Sequence, residues 1–160
     1  MYIPLKIEAL EIAGVQSALE SMRYPMEGRV SNRTDRELSR LLAKRGDDHA
    51  KHLRGVMVWA RMELQAGFMI ELETYNIGVT KLPCTSTMHN ELKGFKGEAL
   101  AFQKQEGLSE KVYKRMSIFS FQTLMRILDQ RRNHRHPDWQ IFCGWIEELP
   151  YFKALCMEEV

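Results

Sequence analysis

The stretch RGVMVWARM, residues 54–62, sets the firmest limit on the fold. Val56, Val58 and Ala60 face one way, and Met57, Trp59 and Arg61 the other. That period of two is the alternation of a β-strand. IPLKIEALEI, residues 3–12, alternates well enough to be a first strand, with Ile3, Leu5 and Ile7 on one side. Most of the remaining chain carries helical patterns.

VQSALESMRY reads as a short helix bounded by Gly14 and by Pro25 with Gly28. In RTDRELSRLLAKRGDD, Thr34 and Glu37 have the spacing of a capping box, in which each side chain satisfies an orphan amide at the helix start. Leu38, Leu41 and Leu42 form its apolar stripe, and Gly46 stops it. ELQAGFMIELETY is predicted helical, with Leu64, Phe68, Ile70 or Glu71, and Tyr75 about a turn apart, ending at Gly78. VTKLPCTST is a loop or a short extended piece, and TMHNEL starts a turn of helix capped by Ser86 or Thr87. KGEALAFQKQEG is a further helix. SIFSFQTLMRILDQRR places Phe121, Leu124 and Leu128 on one stripe. PDWQIFCGWIEEL places Trp139, Phe142, Ile146 and Leu149 on one face, with Ile141 and Trp145 beside it. Pro137 suits the first helical position. The predicted order is β, α, α, β, α and then a run of helices. The expected class is α+β, a small, mostly antiparallel sheet packed by several helices.

A chain of 160 residues suits one domain, residues 1–160, and can bury a core without a metal or disulfide staple. The ten methionines read as gap fillers. The net charge of +2 gives no global nucleic-acid footprint, so any anion binding must be local. Cys84, Cys143 and Cys156 form no C-x-x-C pair, which argues against a disulfide framework or zinc site and predicts reduced thiols in the cytoplasm. GDDHAKH, with Asp47, Asp48, His49 and His52, matches no common metal template, and no metal is expected. The N-terminus lacks signal-peptide features. No apolar run approaches the ~20 residues that span a bilayer, so no membrane is expected.

The densest charge is QRRNHRHPDW. Arg126, Arg131, Arg132, His134, Arg135 and His136 crowd the end of one predicted helix and the start of the next. Cations meet the negative end of the first helix dipole, and the free amides of the second attract an anion. Arginine forks suit phosphate or carboxylate. The corner is either a solvated turn, neutralised in part by Asp129 and Asp138, or an anion site. A second candidate gathers Glu71, Glu73, Thr74, Tyr75, Ser86, Thr87 and His89, where Glu71 and Tyr75 share a helix face at i, i+4. Its hydroxyls and free amides suit a phosphate or ribose, or make a structured loop with local caps. No P-loop, G-x-G-x-x-G, G-x-S-x-G or H-E-x-x-H occurs, and no catalytic residue is assigned.

Read in order, these elements resemble the flavin-dependent thymidylate synthase family over nearly the whole chain. LLAKRGDDHAKHLRGVMVWARM looks like that family's helix, its Gly/His segment and its strand. ELQAGFMIELETYNIG sits where the R-H-R helix should be, and TSTMH at the S-x-R-Y end. FQTLMRILDQRRNHRHPDWQIFCGWI resembles the stretch L-R-S-L, L-R-x-R and A-Q-W-E-I-R. The resemblance implies flavin contact at His52 and at Arg131 or Arg132, and it matches Ser86 and Trp139 to the family's serine and tryptophan. It further implies FAD as cofactor, a homotetramer with shared sites, and a nucleotide-like ligand beside the Arg/His corner. The chain departs from the pattern. No Arg or His lies between Ala66 and Lys81, so the R-H-R positions read about Asn76, Ile77 and Gly78. The last arginine of Q-W-E-I-R falls on Phe142. The expectation is a divergent relative that binds a nucleotide or other phosphorylated ligand, with methyl transfer lost or altered. The alternative is a non-enzymatic interaction protein whose Arg/His corner contacts nucleic acid or an acidic protein partner.

Overall fold

A computed structural model describes residues 1–26, 32–88, 91–106 and 111–157. Four strands form one antiparallel sheet in the order β1-β2-β4-β3: β1 Lys6–Ala13, β2 Met57–Gln65, β3 Val79–Cys84 and β4 Val112–Ser120. The helices are α1 Val15–Ser21, α2 Asp35–Lys44, α3 Ala66–Leu72, α4 Gly97–Glu106, α5 Phe121–Arg131, α6 Pro137–Glu148 and α7 Phe152–Cys156. The class is α+β, as the alternating and helical patterns predict.

The predicted strand around Val58 holds, and it is central. Val58, Ala60 and Met62 are fully buried and Leu64 nearly so. This strand runs on to Gln65, so Leu64 belongs to it and not to the following helix. The period-two burial carries Leu64 into the core before the chain turns at Ala66. In β1 the alternation slips at a bulge between Ala9 and Glu11. One extra residue turns Leu10 outward and returns Ile12 to the core side.

Two strands were concealed in the sequence. Val79–Cys84, left open as loop or extended, is the edge strand β3, and its Pro83 is tolerated because an edge has spare hydrogen-bonding positions. Val112–Ser120 is β4, where the predicted helix begins too early, at Ser117. Arg115 and Ser117 lie on the core-facing side of β4, opposite Met62 and Ala60, and two polar residues there erase the apolar alternation. The helix instead starts at Phe121, capped by Ser120, whose Oγ accepts the Thr123 amide at 3.2 Å.

The capping box of α2 forms as predicted. Thr34 Oγ1 accepts the Glu37 amide at 3.3 Å, and Glu37 Oε2 accepts the Thr34 amide at 2.7 Å. The buried line of this helix is Leu38, Ser39 and Ala43, with Leu41 and Leu42 half-buried, so its inward face includes a hydroxyl.

The core lies on one side of the sheet. Phe119 of β4 meets Phe142 of α6 edge to face at 5.7 Å, and Phe121 of α5 meets Phe152 of α7 at 5.2 Å. Met57, Trp59, Met116 and Ile118 point to the other side and stand outside the core cluster. Helix α4 buries none of its described side chains, and Phe102 is 60% exposed. Among the described residues no helix is long and apolar enough to cross a membrane.

Candidate functional site

Two members of the second sequence candidate, Glu71 and Tyr75, meet the first at one aromatic corner. Helix α6 begins with His136 as N-cap, Pro137 in its first turn and Trp139 facing inward, fully buried. Phe68 of α3 packs edge-on against Trp139 at 4.8 Å, and Tyr75, just beyond α3, does so at 5.7 Å. Helix α5 ends above this nest, which brings Arg131 down onto it.

The Arg131 guanidinium carbon lies 4.8 Å from the Trp139 ring centroid and 5.7 Å from that of Tyr75. Both fall within cation–π range. Arg131 Nε donates to the Tyr75 hydroxyl at 2.8 Å, and that hydroxyl donates to Gln130 Oε1 at 2.9 Å. Trp139 Nε1 donates to Glu71 Oε2 at 2.6 Å. The predicted helix to Gly78 stops at Leu72, so Glu71 and Tyr75 do not share a helix face, although both reach this cluster. Among the described residues no carboxylate forms an ion pair with Arg131. Its Nε is committed, while among the described residues the terminal nitrogens of its fork meet no hydrogen-bond acceptor. A half-buried, oriented guanidinium with open donors is suited to a phosphate or carboxylate.

The other cations of the corner are differently employed. Arg132 pairs with Glu147 at 3.3 Å, and Arg126 pairs with Asp47. Arg135 is exposed. His134 Nδ1 accepts the His136 amide at 3.1 Å, and His136 Nδ1 accepts the Asp138 amide at 3.2 Å. A ring nitrogen that accepts an N–H carries no proton, so both imidazoles act here as local caps through that atom. Gln140 Nε2 closes the turn by donating to the carbonyls of Arg132 and His134. The knot of charge is thus mostly a well-tied turn, with Arg131 as the member aimed at the nest.

Ser86 and Thr87 lie past the end of β3, Ser86 exposed and Thr87 buried. Among the described residues no hydrogen bond links either to the Arg131 corner. His89 lies outside the described residues. His52 is nearly buried, and its Nε2 sits 2.8 Å from Ser39 Oγ, which also contacts the Leu155 carbonyl at 2.9 Å. Burial holds the His52 pKa below its ordinary 6.5, opposed by a hydrogen bond with the His49 backbone. The ring lines a groove of about 430 Å³ beside Met22, Pro25, Met26 and Leu42. Ser21, Asp48, His49 and Lys51 complete the lining, so the groove is apolar on one side and polar on the other. The residues matched to flavin do not converge within one chain, however. His52 turns toward Ser39, Arg132 toward Glu147, and Arg131 toward Tyr75.

The sequence did not show that Trp139 is the platform for Arg131, since its helical spacing marks it only as core. Nor did it show the cluster in which Glu73 meets both Lys81 and Arg115. Arg115 is 42 positions from Glu73, and only the pairing of β3 with β4 brings Lys81 near it. Lys81, then Arg115, hold the Glu73 pKa below the usual carboxylate range. Among the described residues Arg115 Nε is buried without a hydrogen-bond partner.

No protein-family model and no curated protein matches the chain. Solved structures do. Thymidylate synthase X from Helicobacter pylori with FAD and dUMP superposes with a TM-score of 0.69 at 12% identity, over 96% of this chain and 97% of that one. A second structure, the flavin-dependent thymidylate synthase from Helicobacter pylori complexed with FAD and dUMP, gives 0.68 at 12% identity, over 96% and 100%. The chain has the fold of these enzymes, end to end.

Proposed function

We propose that this chain binds a nucleotide or similar phosphorylated ligand at the Arg131 corner, on a fold shared with flavin-dependent thymidylate synthase. The observation that carries the reading is the guanidinium of Arg131. It is stacked on Trp139, fixed by the Tyr75 hydroxyl, and without a carboxylate partner among the described residues. An oriented cation in a partly desolvated place attracts an anion more strongly than a mobile surface arginine does. The structural neighbours, solved with FAD and dUMP, support a nucleotide as the anion's carrier.

The reading is one of ligand binding rather than methyl transfer. Where the family resemblance calls for R-H-R, this chain has Asn76, Ile77 and Gly78. FAD remains the cofactor that the resemblance and the neighbours point to, with self-association into a tetramer as the arrangement that would bring His52 and Arg131 of different copies together.

The test is a melting-temperature series with dUMP, FAD and inorganic phosphate, since a ligand that binds the folded state must raise the midpoint. A shift with dUMP or FAD that vanishes in Arg131→Ala and is weakened in Arg131→Lys is expected. No shift with any of them, or an undiminished shift in Arg131→Ala, refutes the site. If the corner instead contacts nucleic acid, binding to a duplex should fall steeply with salt, because neutralised phosphates release counterions.

A further inference from the structure

We infer that His134 and His136 complete a cradle of three donor groups at the Arg131 corner, matched to the three terminal oxygens of a phosphate monoester rather than to a carboxylate. The inference rests on the ligand site proposed above and adds two residues and a chemical class to it.

The turn between α5 and α6 sorts its side chains. Arg131, His134 and His136 are half-buried, while Arg132, Asn133, Arg135 and Pro137 are exposed. The three half-buried residues border one nest. Arg131 lies over Trp139, the His134 ring meets Trp139 edge to face at 6.4 Å, and the His136 ring stacks over Phe68 at 6.1 Å. Phe68 in turn packs on Trp139.

The backbone fixes what the two imidazoles offer. An amide N–H can only donate, so the Nδ1 atoms that accept from His136 and Asp138 are unprotonated. A neutral imidazole carries one ring proton, which therefore sits on Nε2. Each ring is a cap through one nitrogen and an N–H donor through the other. Among the described residues neither Nε2 has a hydrogen-bond partner. The caps also hold the rings in place, so little freedom is left to lose when a ligand binds.

The carboxylates of the corner are turned to other donors. Glu71 Oε2 accepts the Trp139 indole, and Asp138 Oδ1 accepts the Tyr2 hydroxyl at 2.7 Å and the Leu5 amide at 2.9 Å. Donor count then selects the ligand. One guanidinium fork satisfies both oxygens of a carboxylate and would leave the two imidazole donors unmet. A phosphate monoester brings three acceptor oxygens, enough for the fork and both rings.

Long-range proton–nitrogen NMR of the histidine rings in the full wild-type chain, in mildly alkaline buffer, reads the tautomers. Both rings should show Nδ1 bare and Nε2 protonated. Inorganic phosphate and dUMP should move both Nε2 signals, and acetate at equal concentration should not. His134→Asn and His136→Asn separate the two roles, because an asparagine side-chain oxygen can replace Nδ1 as the cap but supplies no outer N–H. Each should keep the wild-type circular dichroism spectrum and weaken dUMP binding about threefold to tenfold, the worth of one neutral hydrogen bond. A protonated Nδ1 in either ring of the ligand-free chain overturns the inference. So does an equal response to acetate, or undiminished dUMP affinity in either asparagine variant. Undiminished affinity there with binding lost in Arg131→Ala sinks the cradle and leaves the Arg131 site standing. A wild type that binds neither dUMP nor phosphate removes both.

Discussion

Replacing Gly78 by alanine should be among the most damaging single-methyl changes available in this chain. Gly78 has φ +73°, in the left-handed region. A Cβ there would lie 2.3 Å from Thr123 Oγ1 and 2.7 Å from Ser120 Oγ. Those hydroxyls cannot simply swing away. Thr123 Oγ1 donates to the Ile77 carbonyl at 2.7 Å and contacts Ser120 Oγ at 3.0 Å, while the Ser120 amide donates to the Gly78 carbonyl at 2.9 Å. The left-handed conformation costs a non-glycine residue roughly 1–2 kcal/mol. Breaking the buried Thr123 bond costs roughly 1–3 kcal/mol more. A sum of about 3 kcal/mol lowers the melting temperature by roughly 6–12 °C in a domain of this size. Gly46 supplies the control, because it has φ +97° but no atom within 4 Å of the added carbon. Gly46→Ala should show only the conformational part. Urea unfolding of both variants, compared at constant slope, measures the difference. Thr123→Ala removes the obstructing oxygen, so the double variant with Gly78→Ala should lose less stability than the two single changes added together. If Gly78→Ala proves no worse than Gly46→Ala, the crowding argument is wrong.

Thr34→Ala removes one arm of the α2 capping box and should cost about 1 kcal/mol, read as a lower urea midpoint with an unchanged slope. The pH dependence of stability should carry a contribution from His52. Its folded pKa lies below 6.5, so below that pH the unfolded chain binds more protons than the folded one. This contribution is complete above pH 6.5 and declines as the pH falls toward the lower folded value. An NMR titration should place the His52 midpoint under 6.5, and His52→Gln should flatten that part of the stability profile. A midpoint at or above 6.5 would contradict the burial argument.

The parts of the fold legible in the sequence are those set by local chemistry. The Thr34–Glu37 box, the alternation through Val58, the inward face Trp139–Phe142–Ile146 and Pro137 at a helix start all need only neighbours a few residues away. What stayed hidden depends on partners far along the chain. Strand β4 can put Arg115 on its core-facing side because Glu73, from far earlier in the chain, receives the arginine. No window around residue 115 carries that information. The site divides in the same way. Density of arginine marked the corner, but which arginine faces inward depends on Tyr75, 56 positions away, and on a tryptophan whose spacing says only that it is buried.

At about Gly78, where the family resemblance would put the last residue of R-H-R, the structure gives a reason for a glycine. At Gly78 the space a side chain would need is filled by Ser120 and Thr123, the residues that start α5. An arginine cannot stand there without rebuilding the junction of β4 and α5. Ile77 is 75% exposed, so its side chain meets no such obstacle, although Thr123 holds its carbonyl. The same turn does contribute to cation placement by another route. Tyr75 offers a hydroxyl instead of a charge, and that hydroxyl holds Arg131, delivered by the far end of α5. Helix α5 thus closes the position at its first turn and supplies the cation at its last. Arg131 stands at the end of a helix anchored by Leu124, Ile127 and Leu128, which places it on rigid, buried scaffold rather than in a turn. Such a cation is better suited to holding one fixed anion than to following a reacting group.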